Sequence, residues 1–335
     1  YVLLHNDSAL MNIQSIFDIN TPSEFESAAL EVFQFQYQNN KVYKEFCSHL
    51  GKLPESVNQL GDIPFLPIEF FKSKKVIRDN QENEVVFSSS GTTGDITSKH
   101  YVTSLELYRQ SYLKGFAQFY GDIEEYCILA LLPSYLERKG SSLIYMVDDL
   151  IKKSGHSESG FYLDELASLH SKLQQLDAGE QKTLLIGVSF ALLDFVEKYP
   201  LKLQNTIIME TGGMKGRRKE MIRTELHEML SKGFGVKKIH SEYGMTELLS
   251  QAYSKGNGIF HTPPWMKILI RDTEDPLSLQ KSGKTGGLNV IDLANMNSCS
   301  FIATQDLAKC YDDNSFEILG RFDNSDIRGC NLMVL

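Results

Sequence analysis

The chain has 335 residues, 42% of them apolar and 23% charged, with a formal net charge of −9. Such a length buries a large core and allows two domains, or one large α/β domain with an appendage. The acidic balance argues against a general binder of nucleic acid or anionic membrane, which needs a basic face, and no apolar run is long enough to span a bilayer. The opening stretch YVLLHNDSAL lacks the charged and apolar regions of a signal peptide. Thr21-Pro22-Ser23 reads as a helix entry, and Phe25–His49 as one helix with Phe25, Ala29, Phe33 and Tyr37 at helical spacing. Gly61–Phe71 (GDIPFLPIEFF) sets two prolines among large apolar residues and is expected to be extended and packed on the core. After the β-branched run at Val85, strand-like stretches at Cys127–Leu132, Thr183–Val188, Thr206–Met209 and Val236–Ile239 alternate with helical patterns. The helical patterns are Leu105–Tyr120, Ser142–Lys153, Leu163–Gln175, Phe190–Tyr199 and Lys219–Leu230. This alternation predicts an α/β fold with mostly parallel sheets flanked by helices. From Trp265 the pattern changes to short strands (WMKILI, GGLNVIDL, CSFIAT, SFEILG), a β-rich closing section.

The five cysteines (Cys47, Cys127, Cys299, Cys310, Cys330) are odd in number and widely spaced, with no CxxC, and the eight histidines form no HExxH pair. That usage fits a reducing cytoplasm better than a disulfide framework or a zinc site. The cluster KGRRK (Lys215–Lys219) reads as a solvated helix start.

Four places carry chemistry. Ser88–Gly94 reads SSSGTTG, straight after a strand-like run. Backbone N–H groups of a Gly-rich turn can converge on an anion, and hydroxyls add donors without bulk. No Lys follows Gly94, so this is not the P-loop of common NTPases, and Ser282–Thr285 (SGKT) imitates only its tail, as a surface turn. Alone, SSSGTTG could equally be a polar loop. Glu210–Met214 (ETGGM) follows an apolar run, and a Gly pair there lets a flat ring lie against backbone; an ordinary strand-to-helix turn has the same pattern. His240–Glu247 (HSEYGMTE) offers a ring at Tyr243, a hydroxyl at Thr246 and a hard oxygen for Mg²⁺ at Glu247, although Thr and Glu also cap helices. Last come Ala303–Asp306 (ATQD) and Gly320–Cys330 (GRFDNSDIRGC), each alone a turn between strands. His240 is expected to be a hydrogen-bonded scaffold residue, and the first four cysteines packing residues.

Together and in this order, the segments resemble the adenylate-forming superfamily of acyl-CoA synthetases, adenylation domains and luciferases. SSSGTTG is similar to its phosphate loop, ETGGM to its adenine-side glycine segment, YGMTE to Tyr-Gly-x-Thr-Glu, ATQD to Thr-Gly-Asp with Gln305 for Gly, and GRFD to Gly-Arg-x-Asp. IPFLPIEFFKS, LLPSYLER, ETGGMKGR, SEYGMTELLSQAY and FDNSDIRGCNL resemble more closely the acyl-protein synthetase (LuxE-like) branch, covering most of residues 25 to 335. The resemblance implies the N-terminal domain of an adenylate-forming enzyme at 1–319, with the C-terminal lid reduced to a stub at 320–335. The wider superfamily has a further domain with a lysine after Gly-Arg-x-Asp, and Asp95–Lys99 stands where its Pro-Lys follows the loop.

It implies ATP and Mg²⁺ as cofactors and a carboxylic acid, such as a fatty acid, as substrate. Ser89, Ser90, Gly91, Thr92, Thr93 and Gly94 would cradle phosphates, with Lys99 near them. Glu247 would hold Mg²⁺, and Thr246 would steady the α-phosphate and carboxylate. Tyr243 would stack on adenine, with Gly212, Gly213 and Met214 on its other side. Asp306 would bind the ribose, and Arg321 the ribose or phosphate. Cys330 would accept the acyl group as a thioester and pass it to a reductase subunit, an acyltransferase or a carrier protein. If Asp326–Leu332 is extended, Arg328 shares a face with Cys330 and would lower its pKa; the other reading of Cys330 is a small buried hydrophobe. Two further readings stand beside this one: a carboxylate ligase with coenzyme A or a carrier protein as acceptor, and a nucleotide-binding subunit without chemistry.

Overall fold

The computed structural model describes residues 16–89, 96–132, 140–163, 165–212 and 221–322. Helix α1 (Pro22–Asn39) opens at Thr21, whose hydroxyl accepts from Glu24 N while Glu24 accepts from Thr21 N, a complete capping box. The expected single helix to His49 is broken at Asn40, which ends α1 and caps α2 (Lys41–His49). Its Oδ1 accepts from Tyr43 N at 3.1 Å, and its Nδ2 donates to the Ser298 carbonyl at 2.7 Å. A buried asparagine with such partners competes with helix propagation, which the apolar spacing could not reveal.

GDIPFLPIEFF is ordered as expected. Strand β1 (Leu66–Pro67) pairs in parallel with Ile302 and Ala303, Ile68 N donates to the Ala303 carbonyl, and α3 (Phe70–Ser73) follows. Next come β2 (Val85–Ser88) and β3 (Lys99–Val102), which form a two-stranded hairpin, then α4 (Leu105–Tyr120). The alternating region supplies β4 (Cys127–Leu131), α5 (Ser142–Ser154), β5 (Gly160–Phe161), α6 (Leu166–Ala178), β6 (Thr183–Gly187), α7 (Ser189–Lys198), β7 (Thr206–Glu210), α8 (Arg223–Phe234) and β8 (His240–Tyr243). The closing section supplies β9 (Ala252–Ser254), β10 (Ile259–His261), β11 (Met266–Arg271), β12 (Thr285–Asp292), β13 (Phe301–Cys310) and β14 (Phe316–Arg321).

These strands share one sheet in the order β11-β12-β13-β14-β10-β9-β8-β7-β6-β4-β5, with β1 beside β13. The pairs among β5, β4, β6, β7 and β8 are parallel, and those from β8 to β11 antiparallel. Strands β4 and β6 are buried along their whole length, as parallel strands covered on both faces must be. Their alternate residues feed two cores: Cys127, Leu129 and Leu131 pack with α6, α7 and α8, while Ile128, Ala130 and Ile186 join α1, α4 and α5. One expected strand moves: pairing begins at His240, not Val236. Gly235 ends α8 in the left-handed region and Val236 N still bonds the Ser231 carbonyl, so the apolar run is spent leaving the helix. Ser282–Lys284 is exposed and turns the chain, as expected, and Thr285 opens β12. Among the described residues, no helix is long and apolar enough to cross a membrane.

The two halves of the sheet are tied at Asp292. Its Oδ2 accepts from Leu249 N (2.8 Å) and Ser250 N (3.0 Å), its Oδ1 from Ser250 Oγ (2.6 Å), and Trp265 Nε1 donates to Ser250 Oγ at 3.0 Å. Asp292 is inaccessible to solvent. Asp292→Ala orphans two buried amides and is expected to cost about 3 kcal/mol in urea denaturation. Asp292→Asn, whose oxygen can take both amides while its NH₂ faces Ser250 Oγ, should recover more than half of that loss.

Candidate functional site

Strands β7 and β8 run parallel, with Met209 beside His240 and Glu210 beside Ser241, so their carboxyl ends lie together. Open α/β sheets hold ligands at such ends. Thr211-Gly212 leaves one strand and Gly244–Glu247 the other. Gly212 sits at φ +57°, donates its N–H to Glu210 Oε2 at 2.9 Å, and has nothing within 4 Å of where a Cβ would stand. That backbone therefore presents an open face, the property expected for a ring-binding surface.

The antiparallel half supplies a second wall. Asp306 on β13 lies opposite Arg321 on β14. Its Oδ1 is 3.2 Å from Arg321 Nε, and its Oδ2 accepts from the Tyr243 hydroxyl at 2.7 Å. The Tyr243 ring meets Phe260 and Phe316 edge-on, each at 6.1 Å. Burial, then the Asp306 carboxylate, hold the Tyr243 phenol well above its usual pKa, so it stays a donor.

The hairpin supplies a third wall. Ser89 N donates to the Ser98 carbonyl (3.1 Å) and Ser98 N to Ser89 Oγ (3.0 Å), closing the base of the loop between them. The Glu247 carboxylate is buried. Burial raises its pKa, opposed by the nearby Ser98 hydroxyl and by the Arg321 and Lys72 cations. Two residues on from Ser98, His100 Nδ1 lies 2.8 Å from the Thr246 carbonyl and Nε2 lies 3.0 Å from Asn295 Oδ1. Asn295 Nδ2 donates to the carbonyls of Glu247 (2.7 Å) and Cys299 (2.9 Å), which fixes the amide orientation. Burial pushes the His100 pKa down to about 4 although both ring nitrogens face acceptors.

The structure thus ties the hairpin whose loop base is Ser89 and Ser98 to Thr246 and Glu247 through His100 and Asn295, and joins Tyr243, Asp306 and Arg321, with Gly212 on the neighbouring strand end. Lys99 is exposed, between the buried Ser98 and His100. Ser90, Gly91, Thr92, Thr93, Gly94, Gly213, Met214 and Cys330 lie outside the described residues, as do Glu137, Arg138, Lys215–Lys219 and Asp323. His240 is the scaffold residue expected, 3.2 Å from the Tyr120 hydroxyl, with burial holding its pKa down at about 4. The four described cysteines are free, and burial pushes their thiols up, Cys47 to about 12 and Cys127 and Cys310 to about 11. None of them is a ready thiolate. Among the described residues, no group of three or more His, Cys, Asp or Glu is placed to hold a metal.

Sequence reasoning missed Ser98, His100, Asn295 and a carboxylate pair beneath Gly212 and Gly244. Strand alternation through Ser98, His100 and Val102 was the signal for the first two; Asn295 gave none. Of the pair, burial pushes Glu210 up, yet His227 (3.5 Å), Arg223 (3.4 Å), Ser241 and Gly212 N prevail and hold it at about 2. Burial lifts Glu242 to about 7, against a 2.5 Å hydrogen bond from Thr211 and with Glu210 adding to the rise. A Cβ at Gly244 would fall 2.5 Å from Glu242 Oε1, so a side chain there would push the Glu242 carboxylate aside.

Comparison with solved structures gives the class. An open conformation of 2-hydroxyisobutyryl-CoA ligase, in complex with 2-HIB-AMP and CoA, superposes with a TM-score of 0.65 at 11% identity, covering 90% of this chain and 70% of that one. ATP-bound MatB from Rhodopseudomonas palustris gives 0.53 at 16% identity, covering 72% of this chain and 49% of that one. The fold is that of the adenylate-forming ligases. Within this class, residues 20–129 match the family model described as acyl-protein synthetase, LuxE. A Vibrio harveyi protein named long-chain-fatty-acid–luciferin-component ligase is 24% identical over 324 residues, 90% of this chain and 84% of that protein. The resemblance read from the motifs is borne out to this extent: the chain is similar to the LuxE acyl-protein synthetases.

Glu242 makes stability depend on pH. It binds its proton more tightly folded than unfolded, so its contribution falls as pH rises from about 4.5 to about 7. Glu242→Gln removes that loss and should gain on the native chain across this window, by at most about 3 kcal/mol above it. Urea denaturation of both proteins near pH 5 and pH 8 checks this; an equal difference at the two pH values would refute it.

Proposed function

We propose that this chain is an ATP-dependent acyl-protein synthetase that activates a long-chain fatty acid. The observation that carries the reading is the meeting, around the carboxyl end of β8, of motif segments far apart in sequence: the base of the SSSGTTG loop, ETG, YGMTE, ATQD and the Gly-Arg of β14. In the first half-reaction a carboxylate oxygen attacks the α-phosphorus of ATP. The bond to the bridging oxygen breaks, that oxygen keeps the electron pair, and pyrophosphate leaves. The attacking carboxylate is already ionised at neutral pH, so no general base is required; positioning and charge neutralisation dominate.

Tyr243 and Gly212 would take the two faces of adenine, and Asp306, held by Tyr243 and Arg321, the ribose hydroxyls. Ser89 and the loop after it would take the outer phosphates. Thr246 would face the α-phosphate and the acid. Glu247 fits Mg²⁺, an ion that binds through one or two carboxylates plus phosphate oxygens and here would supply charge neutralisation. In the second half-reaction a thiolate attacks the acyl carbonyl and AMP departs, leaving a thioester. We assign the thiol to Cys330, supported by the family resemblance and by the raised thiol pKa of the four described cysteines. The acyl group then passes to a partner such as a reductase subunit. We place the activating domain at 1–319 and a short C-terminal segment at 320–335.

Fatty-acid-dependent ATP–pyrophosphate exchange tests the first step, across acids from acetate to palmitate. Exchange should peak among long chains and fall at least about 100-fold in Glu247→Gln. Cys330→Ser should keep exchange and lose the hydroxylamine-labile acyl label on the protein. Label retained in that variant removes Cys330 from the mechanism, and acyl-adenylate with turnover only on adding coenzyme A would make the chain a ligase with a diffusible acceptor.

A further inference from the structure

The loop that begins at Ser89 and the turn that carries Thr246 and Glu247 come from different sheets. The loop hangs from β2 and β3, which among the described residues pair only with each other, whereas the turn follows β8 of the large sheet. A two-stranded hairpin is marginal alone, so its placement depends on what its inner face touches. That face carries His100, wholly inaccessible to solvent, with the Phe71 ring edge-on at 5.8 Å. The imidazole reaches two other elements. Nδ1 meets the Thr246 carbonyl, and Nε2 meets Asn295, in the short 3₁₀ turn Leu293–Asn295 that follows β12. Asn295 in turn holds the Glu247 carbonyl. With its one proton on Nδ1 the ring donates to the Thr246 carbonyl, and the Asn295 amide donates to the Glu247 carbonyl, so one ring and one amide hold both carbonyls of the pair from beneath.

We propose that His100 is a positioning residue of the activation site, holding the hairpin that bears the phosphate loop in register with Thr246 and Glu247. The proposal deepens the functional reading above and rests on it. His100 is inaccessible to solvent and meets the turn through the Thr246 backbone carbonyl, so its part is geometric. A displacement of about 1 Å between such groups costs about 100-fold in rate. Nucleoside binding, through Tyr243, Gly212 and Asp306, does not pass through the joint.

Two variants test it. His100→Leu removes both polar contacts; His100→Gln keeps an amide N–H able to reach the Thr246 carbonyl. In ATP–pyrophosphate exchange with the preferred acid, His100→Leu should lose about 100-fold in kcat, and its affinity for AMP should stay within about threefold. His100→Gln should regain at least about tenfold. Without nucleotide, amide hydrogen exchange in both variants should quicken at residues 96–99 and 244–247 together, and less in His100→Gln. A folded His100→Leu with near-native kcat, or one whose AMP affinity falls as far as its turnover, overturns the proposal. So does faster exchange in the hairpin with the turn unchanged. If His100→Leu does not fold, His100→Gln carries both measurements. If the native chain activates no acid, the functional reading fails, and hydrogen exchange still decides whether His100 joins the two segments.

Discussion

The architecture depends on one change of direction in the sheet. Strand β8 is parallel to β7 and antiparallel to β9, so it closes the helix-covered half and opens the meander. Its carboxyl end is where the groups of both halves can meet. The parallel half supplies loops after strand ends, as such sheets do. The antiparallel half supplies side chains from within strands, where ladder hydrogen bonds fix them. Asp306 shows the difference: paired across to Arg321 and bonded by Tyr243, it is held from two strands that belong to different halves. Asp292 performs the mechanical counterpart, receiving the amides of Leu249 and Ser250 just after the Thr246-Glu247 turn.

Charge is partitioned around this junction by burial and by partners. Glu210 and Glu242 lie at or next to the ends of neighbouring strands, and both are nearly inaccessible. One is surrounded by His227, Arg223 and a backbone amide and stays ionised; the other has one hydroxyl and is lifted toward neutrality. Two like charges at that separation would repel, and the split limits the cost. It also leaves the ground beneath Gly212 and Gly244 less negative than the sequence suggests, which matters where a polyanion is to bind.

Much of this was legible in the residues. The apolar runs at Cys127, Thr183 and Thr206 are continuous because both faces of those strands are covered, and the Met266 run alternates because one side is only partly covered. The motif order pointed to the site because each segment follows or ends a strand. What stayed hidden has a common cause. Asn40 breaks a well-patterned helix through a bond to Ser298, Val236 is drawn into the end of α8, and Asn295 reaches Glu247 from far along the chain. Each is decided by a polar contact, two of them with partners far along the chain, and polar contacts leave no periodicity.

The same reasoning explains how the hairpin differs from the rest of the site. A loop rich in glycine and hydroxyls is useful because its amides can turn toward an anion, and for that reason it cannot place itself. The structure anchors it below, where Ser89 and Ser98 close its base and the next inward residue, His100, is fully enclosed. Lys99, between them, is left outside. Strand alternation sends every second residue inward, so the pattern Ser-Lys-His divides labour by position: two small or planar polar groups face the interior, where hydrogen bonds are strong and geometry is fixed, and the long cation faces solvent, where it is screened. An enzyme that must hold a triphosphate against a carboxylate gains more from the first arrangement than from the second, because a rigid acceptor-to-donor contact fixes distance and an exposed ammonium does not.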